Sequence, residues 1–431
     1  EAEATAAAKA TTEAETAAKA TTDAQAAEAT KQAEAAATTG AGAAVPTNQA
    51  TGTLTSTVPT TATKPITSTA EATCPENFTD YPNLLLATLN SSNGVTALRN
   101  FLKKCGATET NGVLVKDLNG DGAEDVLLLY KNPKSTTTTP QTDLLILDGS
   151  KQGFSIGHHA RAAGEVHLLA TGDINGDKQL DVAWSDTTCG ASTCFDSVEV
   201  YSWTGKEWAP WVKEAIAMAY PQITLADVSK EGQGKEIVVK GGVYGSVGAG
   251  PQRGRTEIWG SVKGEPYSLL SKSYDASTCL YHTVLDANEA FLKGTSDNFA
   301  TAEKLYTKAA TDKKLTKCWV RENEIDELRS FSLFRLALVA AYQGKPAAAT
   351  DVVNSLTSTY SNTIYAKVGN VWKTSYMQGN DIGGACAATN EFAKNNPEAW
   401  QILADYGYAN PTFSASEVCP VLDVEAPKSA T

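Results

Sequence analysis

The segment DLNGDGAED, residues 117–125, crowds Asp117, Asp121, Glu124 and Asp125 around Asn119 and two glycines, then runs into the apolar stretch VLLLY. Like charges at that density repel one another unless a counter-charge sits among them. The pattern recurs 56 residues on as DINGDKQLD, from Asp173 to Asp181, again ahead of an apolar run. A degenerate copy, DVSKEGQGKE, begins a further 54 residues along at Asp227. A spacing near 55, held twice, marks a repeated supersecondary unit. The middle of the chain therefore reads as a row of similar β-modules, each carrying an acidic loop.

The chemistry of such a loop is hard-cation binding. Calcium takes about six to eight oxygen ligands at roughly 2.3–2.6 Å in a flexible cage. In a tight loop the first, third and fifth side chains point inward together, a main-chain carbonyl serves at the seventh position, and a carboxylate from the next strand closes the cage at the ninth. The first loop offers Asp117, Asn119, Asp121, the carbonyl of Ala123, and Asp125. The second offers Asp173, Asn175, Asp177, the carbonyl of Gln179, and Asp181. Gly120 and Gly122 let the first loop curl; Lys178 replaces the second of these glycines in the next copy. In the third copy Ser229 and Glu231 remain, but counting nine from Asp227 lands on Lys235, whose ammonium would repel a cation. Two calcium ions are expected, and none at the third loop. This is not an EF-hand, whose closing glutamate stands at the twelfth position between helices.

Around these loops short strands alternate with turns over 111–276. DVLLLYK, TDLLILD, GFSIGHH and GEVHLLATG come first, then LDVAWSD, SVEVYSW and QITLADV, then KEIVVKGG and GRTEIWGS. Asp148-Gly149 and Thr204-Gly205 read as turns between them. The loop motif and its spacing resemble the FG-GAP repeats of integrin α-subunit heads. That resemblance implies four-stranded blades of a β-propeller, with calcium held between strands. It covers roughly 111–276; the Phe-Gly and Gly-Ala-Pro signatures are absent, with GFSIG and VGAGPQRG as loose echoes. Three repeats are fewer than a propeller generally uses. The expected arrangement is an open stack capped by helices at both ends.

The flanks complete a multidomain α+β chain: an Ala-rich N-terminal helix and Thr-rich extended arm, FG-GAP-like β-blade repeats, and C-terminal α-helical hairpin repeats. Residues 1–44 are an Ala/Thr-rich helical arm, ended by Gly40 and Gly42. Residues 1–39 contain no Leu, Ile, Val or Phe, so such a helix gains little from a core of its own and needs close neighbours. Residues 45–73 form a Thr/Ser/Pro linker in which TGTLTSTV alternates as a strand does, suited to completing a sheet in another molecule. Residues 74–110 are a small helical segment. From 277 to 420 the period turns helical, and 421–431 are a tail. Gly344 and Gly379, 35 residues apart, with Tyr376, Ala385 and Pro397, resemble the tetratricopeptide repeat, which implies a protein-interaction scaffold.

Eight cysteines fall as sequence neighbours: Cys74 with Cys105, Cys189 with Cys194, Cys279 with Cys318, Cys386 with Cys419. None makes a CxxC, so disulfides in an oxidising compartment are expected rather than zinc or redox sites, with pairing left open. The chain starts at Glu1 rather than Met and is read as a mature product. A net charge of −13 argues against nucleic acid, and no apolar run is long enough to span a membrane. Asn77 and Asn90 head N-glycosylation sequons.

Catalytic patterns are missing. His158 and His159 are adjacent in a strand and face opposite ways, and no HExxH or GxSxG occurs. GGVYGSVGAGPQRG lacks the Lys-Ser/Thr ending of a phosphate cradle and reads as a mobile hairpin loop. Trp184, Trp203, Trp208, Trp211 and Trp259 read mainly as packing between blades. The sequence thus points to a non-enzymatic, calcium-stabilised, extracellular or cell-surface protein. Its copies would assemble through the N-terminal arm into a filament or surface layer. The alternative is a surface-tethered module on a Thr-rich stalk that binds glycans or surface proteins.

Overall fold

The computed structural model describes residues 73–136 and 140–424. The expected helical arm, the linker up to Ala72 and the last seven residues of the tail lie outside the described residues.

The described chain opens with a 3₁₀ turn and two helices, α1 (Tyr81–Leu89) and α2 (Gly94–Lys104). Thirteen strands follow as three antiparallel sheets. The first sheet orders β1 (Thr108–Lys116), β2 (Asp125–Lys131), β3 (Thr142–Ser150) and β4 (Gly153–Ala160). The second holds β5 (Glu165–Gly172), β6 (Asp181–Cys189), β7 (Cys194–Trp203) and β8 (Trp208–Pro210), with β9 (Ile216–Ala219) also on β7. The third orders β10 (Gln222–Ala226), β11 (Gln233–Gly241), β12 (Arg255–Ser261) and β13 (Ser268–Tyr274).

Side-chain alternation explains how the sheets stack. On β2, Val126, Leu128 and Tyr130 face one way and pack on Tyr81, Leu85, Leu98 and Phe101 of the two helices. Leu127 and Leu129 face the other way, onto Val182 and Trp184 of β6. Ala183 of β6 turns from that layer to the next, where Val198 and Val200 meet Ile237, Val239 and Trp259. β2, β3 and the first half of β6 are thus buried on both faces, which is why DVLLLYK and TDLLILD read as unbroken apolar runs. Burying each such leucine is worth roughly 1.5–3 kcal/mol.

Seven further helices are described: α3 (Leu280–Leu292), α4 (Ser296–Thr311), α5 (Glu324–Tyr342), α6 (Pro346–Thr359), α7 (Ile364–Tyr376), α8 (Ile382–Asn395) and α9 (Glu398–Ala404). They share one core that runs from Leu280 to Cys419. Thr295, Thr363 and Asp381 cap α4, α7 and α8 through their side chains. Gly344 ends α5 at φ +71°, but after α7 the left-handed residue is Asn380, not Gly379. The Gly-rich loop between β11 and β12 is packed rather than free. Tyr408 donates its N–H to the Gly248 carbonyl at 3.2 Å and Asn410 its amide to Ala249 at 3.0 Å.

The four disulfides join Cys74–Cys105, Cys189–Cys194, Cys279–Cys318 and Cys386–Cys419. No helix among the described residues is long and apolar enough to cross a membrane.

Candidate metal centre

The two acidic loops fold alike, bond for bond. In the first, both oxygens of Asp117 accept main-chain N–H groups, from Gly120 at 2.7 Å and Gly122 at 3.0 Å. Asn119 Oδ1 accepts from Asp121 N–H at 3.0 Å, and Asp121 Oδ1 from Ala123 N–H at 2.7 Å. In the second, Asp173 accepts from Gly176 at 2.8 Å and Lys178 at 3.2 Å. Asn175 then takes Asp177 N–H at 2.9 Å, and Asp177 takes Gln179 N–H at 2.7 Å. Lys178 accepts the left-handed backbone that Gly122 supplies in the first loop, at φ +72° against +85°.

The closing carboxylates come from the strands. Asp125, the first residue of β2, pairs with Lys116 and accepts from Leu118 N–H at 2.7 Å. Asp181, the first of β6, pairs with Gly172 and accepts from Ile174 N–H at 2.8 Å. Both are fully buried. They differ in how Oδ1 is met, and Asp181 Oδ2 takes an additional N–H, from Asn175 at 3.2 Å. Asn119 turns its amide to Asp125 Oδ1 at 3.4 Å, where Gly149 N–H also donates at 2.7 Å. Asn175 turns its amide to Asp177 Oδ2 at 3.1 Å instead. Asp181 Oδ1 is therefore left buried with no hydrogen bond of good geometry, beside the Ser202 hydroxyl on the paired strand.

Electrostatics follow burial. Loss of water pushes Asp181 up to about 6, against the Ser202 hydroxyl and the Ile174 and Asn175 N–H groups, with Asp177 adding to the rise. Burial also raises Asp125; the Gly149 and Leu118 N–H groups oppose it, and Asp121 and Asp117 add to it. A carboxylate not foreseen from sequence, Asp148, joins the first loop. Burial lifts it to about 6, opposed by the Trp208 indole N–H at 3.1 Å, with Asp125 and Asp121 adding to the rise. The Asp148-Gly149 pair, expected as a turn, lies inside β3. Gly149 is there for space: a Cβ on it would lie 2.0 Å from the Glu124 carbonyl oxygen.

The third loop departs from the expectation in register. Ala226 pairs with Glu236, not Lys235, as Lys116 does with Asp125 and Gly172 with Asp181. Glu236 accepts from Val228 and Ser229 N–H at 2.8 and 3.2 Å, and it too is fully buried. One extra residue is absorbed by a longer acid, which a fixed nine-residue count cannot register. This loop also grips its neighbour, since Lys235 N–H donates to the Ile174 carbonyl at 2.7 Å.

The donor set of the first two loops is all oxygen, and the acids are mutually repulsive. That chemistry fits a hard divalent cation. Among the described residues no three His, Cys, Asp or Glu side chains converge on one point, because each acid is drawn onto main-chain N–H groups. Asn119, Asn175 and the Ala123 and Gln179 carbonyls belong to the same loops. His159 sits elsewhere, bonded to Asp143 at 2.9 Å, while His158 packs on Tyr201 on the opposite face. Trp184, Trp208 and Trp259 are core residues. No protein-family profile, curated protein or solved structure matches the chain.

Proposed function

We infer that this is a calcium-stabilised, disulfide-stapled structural protein that works outside the cell, its copies joined through the arm ahead of residue 73. The calcium reading rests on one observation. Two loops fix their acids in the same bonding order, each closed by a fully buried carboxylate, and Asp181 Oδ1 accepts no well-formed hydrogen bond. A bound ion would be held by Asp117, Asn119, Asp121, the Ala123 carbonyl and Asp125 in the first loop. In the second it would be held by Asp173, Asn175, Asp177, the Gln179 carbonyl and Asp181. Its charge would let the buried acids stay ionised. On this reading the three sheets are FG-GAP-like blades in an open stack, and α3–α9 form a tetratricopeptide-like scaffold.

Four disulfides support an oxidising compartment. The arm's lack of large apolar side chains supports packing against other copies rather than on a core of its own. Calorimetric titration of the metal-stripped chain with calcium tests the first part: two sites are expected, and no heat refutes it. Light scattering of the full chain and of a chain lacking 1–72 tests the second. The full chain is expected to assemble and the truncated one to stay folded and monomeric; assembly that survives truncation refutes the arm's role.

A further inference from the structure

The helical end encloses a cation that meets no counter-charge among the described residues. Arg335, on α5, is 2% exposed. Its Nη2 donates to the Glu417 main-chain carbonyl at 2.6 Å, while Nε and Nη1 reach no acceptor. The buried or half-buried Arg253, Arg255 and Arg321 each meet a carboxylate; among the described residues Arg335 meets none. Its guanidinium carbon lies 5.0 Å from the Phe331 ring and 5.3 Å from Phe291. Such contacts give roughly 2 kcal/mol when desolvated, short of the several kcal/mol that an unpaired buried ion costs.

The surrounding hydroxyls do not supply the missing acceptor. Burial pushes Tyr306, Tyr342 and Tyr365 up, and the nearby Arg335 pulls against it, so all three stay neutral. Tyr365 donates to the Ala399 carbonyl, Tyr342 to Pro420, and Tyr306 to Asn288 Oδ1. Asn288, 4% exposed, adds a second orphan, since its Nδ2 has no acceptor. Asn288 stands about one helical turn before Phe291 on α3 and holds the Tyr306 hydroxyl, and the Phe291 ring lies against both Tyr306 and Arg335, so the three groups gather around one ring. Every unsatisfied group there is a donor. Asn288 and Glu417 also line a cleft of about 510 Å³ between the third sheet and the helices; Arg335 is not part of its wall and lies behind these two residues.

Water can satisfy donors but cannot balance a charge. We propose that Arg335 and Asn288 hold a compact monovalent anion, of chloride or formate size, in the interior behind the Asn288 and Glu417 wall of this cleft. One guanidinium balances one negative charge, and the enclosure excludes anything bulky. This site is separate from the acidic loops and does not rest on the calcium reading.

Thermal unfolding of the full chain tests it, at fixed pH, calcium and ionic strength, with sodium gluconate replaced stepwise by sodium chloride or sodium formate. Gluconate is too large to enter. The wild-type midpoint is expected to rise saturably by about 2–4 °C in the smaller anions. A larger response to chloride identifies a halide site, and a larger response to formate a carboxylate site. Arg335→Leu is expected to be flat across the series and, in pure gluconate, to unfold no earlier than wild type, because an apolar chain replaces an unpaired charge. Coincident wild-type curves in all three salts overturn the proposal, as does an anion response kept by Arg335→Leu. Should that variant not fold, bromide-soaked wild-type crystals decide: an anomalous peak in contact with the Arg335 guanidinium supports the site, and its absence overturns it.

Discussion

The main-chain N–H of Gly149 donates to Asp125 Oδ1 at 2.7 Å, tying the closing carboxylate of the first acidic loop to the neighbouring strand. A methyl group on Gly149 would lie 2.0 Å from the Glu124 carbonyl oxygen, so Gly149→Ala must push β3 away from the loop. Overpacking costs about 1–3 kcal/mol, and a hydrogen bond to a charged group is worth about 1.5–3. We expect urea unfolding to show a loss of about 2–4 kcal/mol. With calcium bound as proposed, titration should show the first loop weakened and the second unchanged.

Gly234 couples the third loop to the second. Its φ is +72°, and a Cβ there would fall 2.4 Å from the Ile174 carbonyl oxygen. Gly234→Ala should cost about 2 kcal/mol or more in urea unfolding and, with calcium bound as proposed, weaken the second loop's affinity while sparing the first.

Asp181→Asn should act with opposite signs on two measurements. Asp181 is buried, with one oxygen that accepts no well-formed hydrogen bond. Neutralising it removes a desolvated charge and its repulsion with Asp177. The metal-stripped variant should melt higher than metal-stripped wild type, yet lose the calcium-induced rise that belongs to its loop.

His158 provides a pH signature. Burial against Trp184 and Tyr201, with a smaller push from His159, lowers it from 6.5 to about 4. Because its folded value lies below the unfolded one, the unfolded chain gains the proton first on acidification. The stability it contributes is complete above about pH 6.5 and is lost progressively down to about 4. Asp148 and Asp181 titrate with the opposite slope but are common to both chains. The unfolding free energy of wild type minus that of His158→Phe should therefore fall between pH 7 and pH 4; a flat difference refutes this.

Loop length separates the disulfides. Cys189–Cys194 spans 5 residues at the β6–β7 hairpin, and Cys279–Cys318 spans 39. Chain-entropy arguments assign about 2 kcal/mol to the short loop and about 4 to the long one. Paired Ser variants compared by denaturant unfolding should rank accordingly.

Much of the β-region is legible because its inner strands are extreme. DVLLLYK is β2 and TDLLILD most of β3: apolar runs that short, bounded by turn residues, read as strands buried on both faces, since a buried helix needs a longer run. β8 and β9 are three and four residues long, too short to carry a period. Asp148-Gly149 misleads because glycine is read as a turn former, whereas here it clears space for a carbonyl. Glu236 is hidden by the assumption that loops keep their length; strand pairing reveals the extra residue. Arg335 is invisible in FRLALV, where a buried arginine and a snorkelling one look the same. The four-ring setting of Phe291, Tyr306, Phe331 and Tyr365 appears only when α3, α4, α5 and α7 meet.

Both ends of the described chain enter it beside a covalent staple. Thr73 precedes Cys74, which is bonded to Cys105 at the end of α2, and Leu422 lies three residues past Cys419, which is bonded to Cys386 on α8. Tension on the leading arm would pass through sulfur into the start of the first sheet, leaving α1 and α2 unloaded. Tension on the tail would first pull Leu422 and Pro420 from Tyr342 and then meet Cys419, where the disulfide passes it into α8. A molecule strung between neighbours would thus pass its load through two sulfur–sulfur bonds into the sheets and helices that lie between them.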